Sequence, residues 1–75
     1  MERYANLGSD SDVIGYELGS GSIVVVFRDG WKYEYTNSSA GTSQIARMQA
    51  LANAGRGLNS FINANVRKAY SRKFR

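Results

Sequence analysis

The spacing of hydrophobic and polar positions changes part-way along the chain. Over 13–18 they alternate, with Ile14, Tyr16 and Leu18 on one face and Gly15 and Glu17 on the other, the two-residue period of a half-buried strand. Ile23-Val24-Val25-Val26-Phe27-Arg28 is β-branched and apolar on both faces, which predicts a central strand over 23–28. Residues 31–36 alternate again. Beyond them the period becomes helical: Ile45, Met48, Leu51 and Ala52 predict a helix over 43–54, with Thr42 or Ser43 as N-cap and Gly55 as stop. A second stripe, Leu58, Phe61, Ile62, Val66, Ala69 and Tyr70, predicts a helix over 58–70 with Ser60, Asn63, Arg67 and Ser71 on its polar side.

The order predicts an α+β fold, a three-stranded antiparallel β-meander followed by two α-helices packed on one face of the sheet. Residues 1–11 have no usable period and are expected to form a loosely ordered arm. A single domain should span 12–71, and 72–75 should form a basic tail.

The turn at Asp29-Gly30 admits two registers, and the faces choose between them. A two-residue loop would pair Arg28 with Trp31 and Phe27 with Lys32, which mixes apolar and polar side chains on both faces. A three-residue loop with Gly30 in the left-handed region pairs Phe27 with Trp31, Val25 with Tyr33 and Ile23 with Tyr35. Pairing Leu18 with Ile23 and Tyr16 with Val25 then adds Ile14, Tyr16 and Leu18 to that apolar face. On this register Trp31, Tyr33 and Tyr35 are expected in the core under the helices, the alternative being a sheet face on which they stack bases. Asn65, on the apolar stripe, is expected to hydrogen-bond nearby backbone.

Composition removes whole classes of chemistry. With no His, no Cys and no carboxylate pair placed for acid–base work, the chain is expected not to be an enzyme, and neither a metal nor a cofactor is implied. The glycines form no phosphate-loop or dinucleotide pattern. The start of the chain lacks a basic-then-apolar leader pattern and the aliphatic run at 23–27 is too short for a bilayer, so a cytoplasmic location is expected, with no membrane partner.

Charge is unevenly placed. After Glu34 no acidic residue follows, so residues 35–75 carry seven cations and net +7, against net −3 for residues 1–34. The run from Arg67 to Arg75 interleaves five cations with Tyr70 and Phe74, a composition that suits phosphates and unpaired bases. A solvated helix end would show the same run. Asn63 and Arg67, four apart on the polar helix face, form a candidate contact pair.

Several of these residues resemble the KTSC domain, a short bacterial module named for the C-terminus of some lysyl-tRNA synthetases and also found alone. The resemblance spans roughly residues 11–71. It lies in Ile14-Gly15-Tyr16, in Val25, Phe27 and Gly30, in Tyr33-Glu34-Tyr35 matching a YxY motif, and in Phe61-Ile62-Asn63 followed by Val66-Arg67 and Tyr70. The chain departs from the family in the longer Gly55-Arg56-Gly57-Leu58 approach to the last helix and in lacking a proline after the YxY strand. The attachment of that family to a tRNA synthetase implies RNA binding.

The reading that follows is a small non-enzymatic module, monomer or weak homodimer, without a small-molecule substrate. It is expected to bind RNA or single-stranded nucleic acid through Arg56, Asn63, Arg67, Lys68, Arg72 and Lys73. The alternative is a protein-interaction module, docking an acidic partner on the tail or self-associating through the Val24/Val26 side of the sheet.

Overall fold

A computed structural model describes residues 2–7 and 12–75; Met1 and residues 8–11, part of the expected arm, lie outside the described residues. The architecture is α+β. An antiparallel sheet in the order β1-β2-β3-β4-β5 is built from β1 (Glu2–Arg3), β2 (Val13–Gly19), β3 (Ser22–Phe27), β4 (Lys32–Thr36) and β5 (Arg72–Phe74). Between β4 and β5 run α1 (Asn37–Ala40), α2 (Thr42–Ala54), α3 (Leu58–Phe61) and a π-helical turn over Ile62–Val66.

The bulged register at Asp29-Gly30 is the one observed. Gly30 has φ +92°, its N–H donates to the Phe27 carbonyl at 2.9 Å, and the Phe27 N–H donates to the Trp31 carbonyl at 2.9 Å. Asp29 Oδ1 accepts from the Trp31 N–H at 3.0 Å, which closes the turn from within. Ile23 faces Tyr35 and Val25 faces Tyr33 on one side, while Leu18 faces Ile23 and Tyr16 faces Val25 on the other.

The expected face fails at one end of β2. A register shift between Val13 and Gly15 makes a β-bulge, so Val13 is fully buried and Ile14 is 48% exposed. A strict two-residue period places Ile14 inward; one extra residue reverses it. Leu18, at the end of the strand, is also exposed.

The core lies between the sheet face bearing Tyr16, Ile23, Val25 and Tyr35 and the helical segment, which contributes Ile45, Met48, Ala52, Leu58, Ile62 and Val66. α2 begins one residue early, at Thr42, and its N-cap is Gly41, not Thr42 or Ser43. The side-chain cap sits instead on α1: Ser39 N–H donates to Thr36 Oγ1 at 3.1 Å and Thr36 N–H donates to Ser39 Oγ at 3.0 Å, a capping box ahead of an unpredicted turn of helix. Gly55 ends α2 as expected, at φ +78° with its N–H shared between the Leu51 and Ala52 carbonyls.

The helix expected over 58–70 does not run its length. It passes from α3 into the π-helical turn, and Ala69 N–H reaches back only to the Val66 carbonyl, at 2.9 Å. The wider turn keeps Ile62 and Val66 buried, whereas Asn65 is exposed and not on the apolar stripe. Its Nδ2 does donate to a neighbouring backbone group, the Phe61 carbonyl at 3.1 Å.

The expected loose arm and the expected basic tail each contribute a strand, so the sheet has five strands where three were expected. Glu2 and Arg3 pair with Tyr16 and Gly15, and Tyr4 is only 3% exposed, its hydroxyl accepting from the Leu58 N–H at 3.2 Å. The Leu7 N–H donates to the Gly55 carbonyl at 2.7 Å, and a side chain at Gly55 would sit 2.6 Å from the Ala5 Cβ. Residues 2–7 therefore close the open end of the core; a segment too short to show a period is held by these long-range bonds. At the other terminus the basic tail is β5, entered by the Ser71 N–H donating to the Glu34 carbonyl at 2.6 Å.

Candidate nucleic-acid interface

A groove of about 590 Å³ opens between the β3–β4 turn and the segment after the π-helical turn. Three of the predicted contact residues, Asn63, Arg67 and Lys68, line it, all exposed. The π-helical turn carries Asn63, and Arg67 and Lys68 follow in the turn that brings the chain back towards the sheet. Across the groove stand Asp12, Arg28 and Asp29, beside and within the β3–β4 turn.

Its floor is aromatic. The Phe27 and Tyr33 rings meet edge to face with centroids 5.1 Å apart, Tyr33 and Tyr70 do the same at 5.1 Å, and Tyr70 reaches Tyr35 at 6.4 Å. All four rings line the groove. Tyr70 holds this place because the chain has left the helix before it, so the apolar position expected on a helix stripe is delivered by a turn. Burial raises the Tyr35 phenol well above its ordinary pKa, with the neighbouring Tyr33 and Tyr70 adding to the effect, so Tyr35 remains a neutral, uncharged part of the floor.

β5 divides the remaining cations by alternation. Lys73 faces Tyr33 in the β4–β5 register, with Nζ 5.9 Å from the Tyr33 ring and 5.2 Å from the Trp31 ring. Arg75, two residues on, has its guanidinium carbon 4.7 Å from the Trp31 ring. Arg72 turns to the opposite face, where Nε lies 2.7 Å from Glu34 Oε1 and the guanidinium covers Phe74 at 4.6 Å. Arg72 and Arg56 are not among the groove residues. Arg56 follows Gly55, which is tied to the N-terminal segment. The predicted set of six therefore divides into Asn63, Arg67 and Lys68 at the groove, Lys73 beside it, and two residues elsewhere.

Sequence reasoning missed Arg28, Asp12 and Asp29 as groove residues, because nothing local signals that residue 28 comes near residue 67. The tyrosines were signalled, as the YxY strand and the terminal Tyr of the helical pattern, with core packing favoured over base stacking; they both pack on the core and line the groove. On the other sheet face, Val26 is 9% exposed and Val24 is half-buried between Glu17 and Glu34, so these two valines are less open than expected.

No protein-family model, no curated protein and no solved structure matches the chain. Among the described residues, no helix is long and apolar enough to cross a membrane.

Proposed function

We propose that the chain is a non-enzymatic module that binds RNA, or another single-stranded nucleic acid, along the groove. The observation that carries this reading is the meeting of Asn63, Arg67 and Lys68, at the edge of the groove, with a floor of Phe27, Tyr33 and Tyr70. Cations neutralise phosphates and release their counterions, and rings with an accessible π-face take unpaired bases. On the far side Asp12 and Asp29 outnumber Arg28 and present carboxylate acceptors to base N–H groups, which favours a nucleotide with its phosphate towards Arg67 and Lys68. The acid-free composition of residues 35–75 and the resemblance to the KTSC domain support the same class of partner.

Arg67, Lys68 and Lys73 would neutralise about three phosphates, so log affinity for a single strand should fall with log salt at a slope of about −2. NMR shift mapping with a short RNA, against a polyanion of equal charge, is the direct test. Shifts at Asn63, Arg67 and Tyr70 with RNA but not with the control support the groove. A salt-independent affinity, or shifts confined to residues 72–75 and equal for both ligands, overturns it and leaves an acidic protein as the partner to test next.

A further inference from the structure

Trp31 is the chain's one tryptophan, and among the described residues it is not part of the apolar core. Tyr35 of β4 is 1% exposed and Tyr33 packs against the core, whereas Trp31 stays half-buried just before that strand begins. Charge lies over its ring: Lys73 Nζ at 5.2 Å and the Arg75 guanidinium carbon at 4.7 Å. Lys73 is also 5.9 Å from the ring of Tyr33, which lines the groove. One ammonium thus spans from the groove to the indole.

We propose that Trp31, flanked by Lys73 and Arg75, is a stacking platform for a second unpaired base, so that the ligand is a single strand with one nucleotide in the groove and its neighbour on the indole. The inference rests on the nucleic-acid reading above and deepens it. In extended backbone, residues two apart are about 6.6–6.8 Å apart at Cα, a separation that one extended nucleotide spans. The indole has the largest π-face in the chain, and stacking on it is tolerant of sequence because every base has such a face. A base that stacks here takes the ring face over which Lys73 lies; the ammonium moves aside to the adjoining phosphate, and the planar guanidinium of Arg75 lies against the base. A duplex keeps its bases paired and stacked and has no free face to offer. The backbone at Trp31 is held independently of its ring: its N–H donates to Asp29 Oδ1 at 3.0 Å and its carbonyl accepts from the Phe27 N–H at 2.9 Å, so changing the ring leaves the turn in place.

The test uses the fluorescence of this one tryptophan in the full chain, titrated with oligouridine and with duplex RNA of equal length. Single-stranded RNA should quench the emission and the duplex should leave it unchanged. Trp31→Ala should bind oligouridine roughly 5- to 150-fold more weakly, the fold-change that stacking of one base corresponds to, with the salt slope unchanged because no phosphate contact is lost. Trp31→Phe should fall between. Arg67→Gln should instead reduce the slope by about 0.7. The inference is overturned if oligouridine binds with the expected salt slope while the emission does not move and Trp31→Ala binds as tightly as the native chain. If no strand binds with any salt dependence, the underlying reading fails as well. Should Trp31→Ala fail to fold by circular dichroism, the native titration and Trp31→Phe decide: quenching by the single strand alone supports the platform, and its absence overturns it.

Discussion

Arg72 and Glu34 face each other across β4 and β5, with Nε 2.7 Å from Oε1. Glu34 is the last acidic residue of the chain, so the carboxylate nearest the basic half binds one of its cations. The consequence is a sorting of charge. Arg72 is held on one face of the sheet while Lys73 and Arg75 lie over Trp31. A run that reads as one undivided field in sequence is split by the alternation of a strand.

The ion pair itself should contribute little to stability. The Arg72 side chain is 64% exposed, so solvent and salt screen the attraction. A double-mutant cycle with Arg72→Gln and Glu34→Gln, followed by urea unfolding, is expected to give a coupling below about 1 kcal/mol that shrinks at high salt. A large, salt-independent coupling would contradict this account.

Neutralising single cations should rank them by position. Arg67→Gln should weaken binding of a short RNA and lower its salt slope by about 0.7, because Arg67 lines the groove. Arg56→Gln and Arg72→Gln should leave the slope near its native value, the first lying apart from the groove and the second already paired. Equal losses from all three, measured by fluorescence anisotropy over a salt series, would mean that only net charge matters.

Tyr4→Phe tests whether the N-terminal segment is integral to the core. The phenol is buried and accepts from the Leu58 N–H at the start of α3, so removing it leaves a buried donor without its acceptor. The expected loss is about 1–3 kcal/mol in urea unfolding. A neutral result would return residues 2–7 to the role of a loose arm.

Alkaline stability should report on Tyr35. Its folded pKa is raised above the ordinary 10.0, chiefly by burial, so the unfolded chain ionises first as pH rises. The stabilisation is fully present below pH 10 and is lost as pH climbs beyond it. The slope should approach about 1.4 kcal/mol per pH unit for this one group. Tyr35→Phe, followed by urea unfolding from pH 8 to pH 11, should flatten that part of the profile; an unchanged slope would place the titration elsewhere.

Much of the fold was legible because it is written in short-range terms. The period over 23–28 and 31–36, the turn chemistry of Asp29-Gly30 and the stop at Gly55 each depend on residues a few positions apart; the structure keeps the bulged register and the stop, with the strands at Ser22–Phe27 and Lys32–Thr36. The bulge at Val13–Gly15 was not legible, since Ile14 suits an inward position as well as Val13 does and only pairing with Phe27 decides between them. The π-helical turn likewise conceals itself in a helical stripe, because it changes the angle of Asn65 without changing which residues are apolar. For the candidate site, Asn63, Arg67 and Lys68 were found through the polar helix face and the charge run, while Arg28, Asp12 and Asp29 have no local signal that points to them.

What the sequence determined by itself is the α+β order, the register of the central hairpin and the gathering of seven cations after the last acid, all consequences of side-chain period, turn geometry and composition. What only the tertiary structure decided is where the two ends of the chain go. Tyr4 is buried because its ring joins the core cluster and its hydroxyl meets the Leu58 N–H, and residues 72–74 are a strand because the β4 edge offers unpaired backbone groups and Glu34 offers a carboxylate. Segments that short carry no period of their own; their structure comes from the partners that distant parts of the chain bring to them.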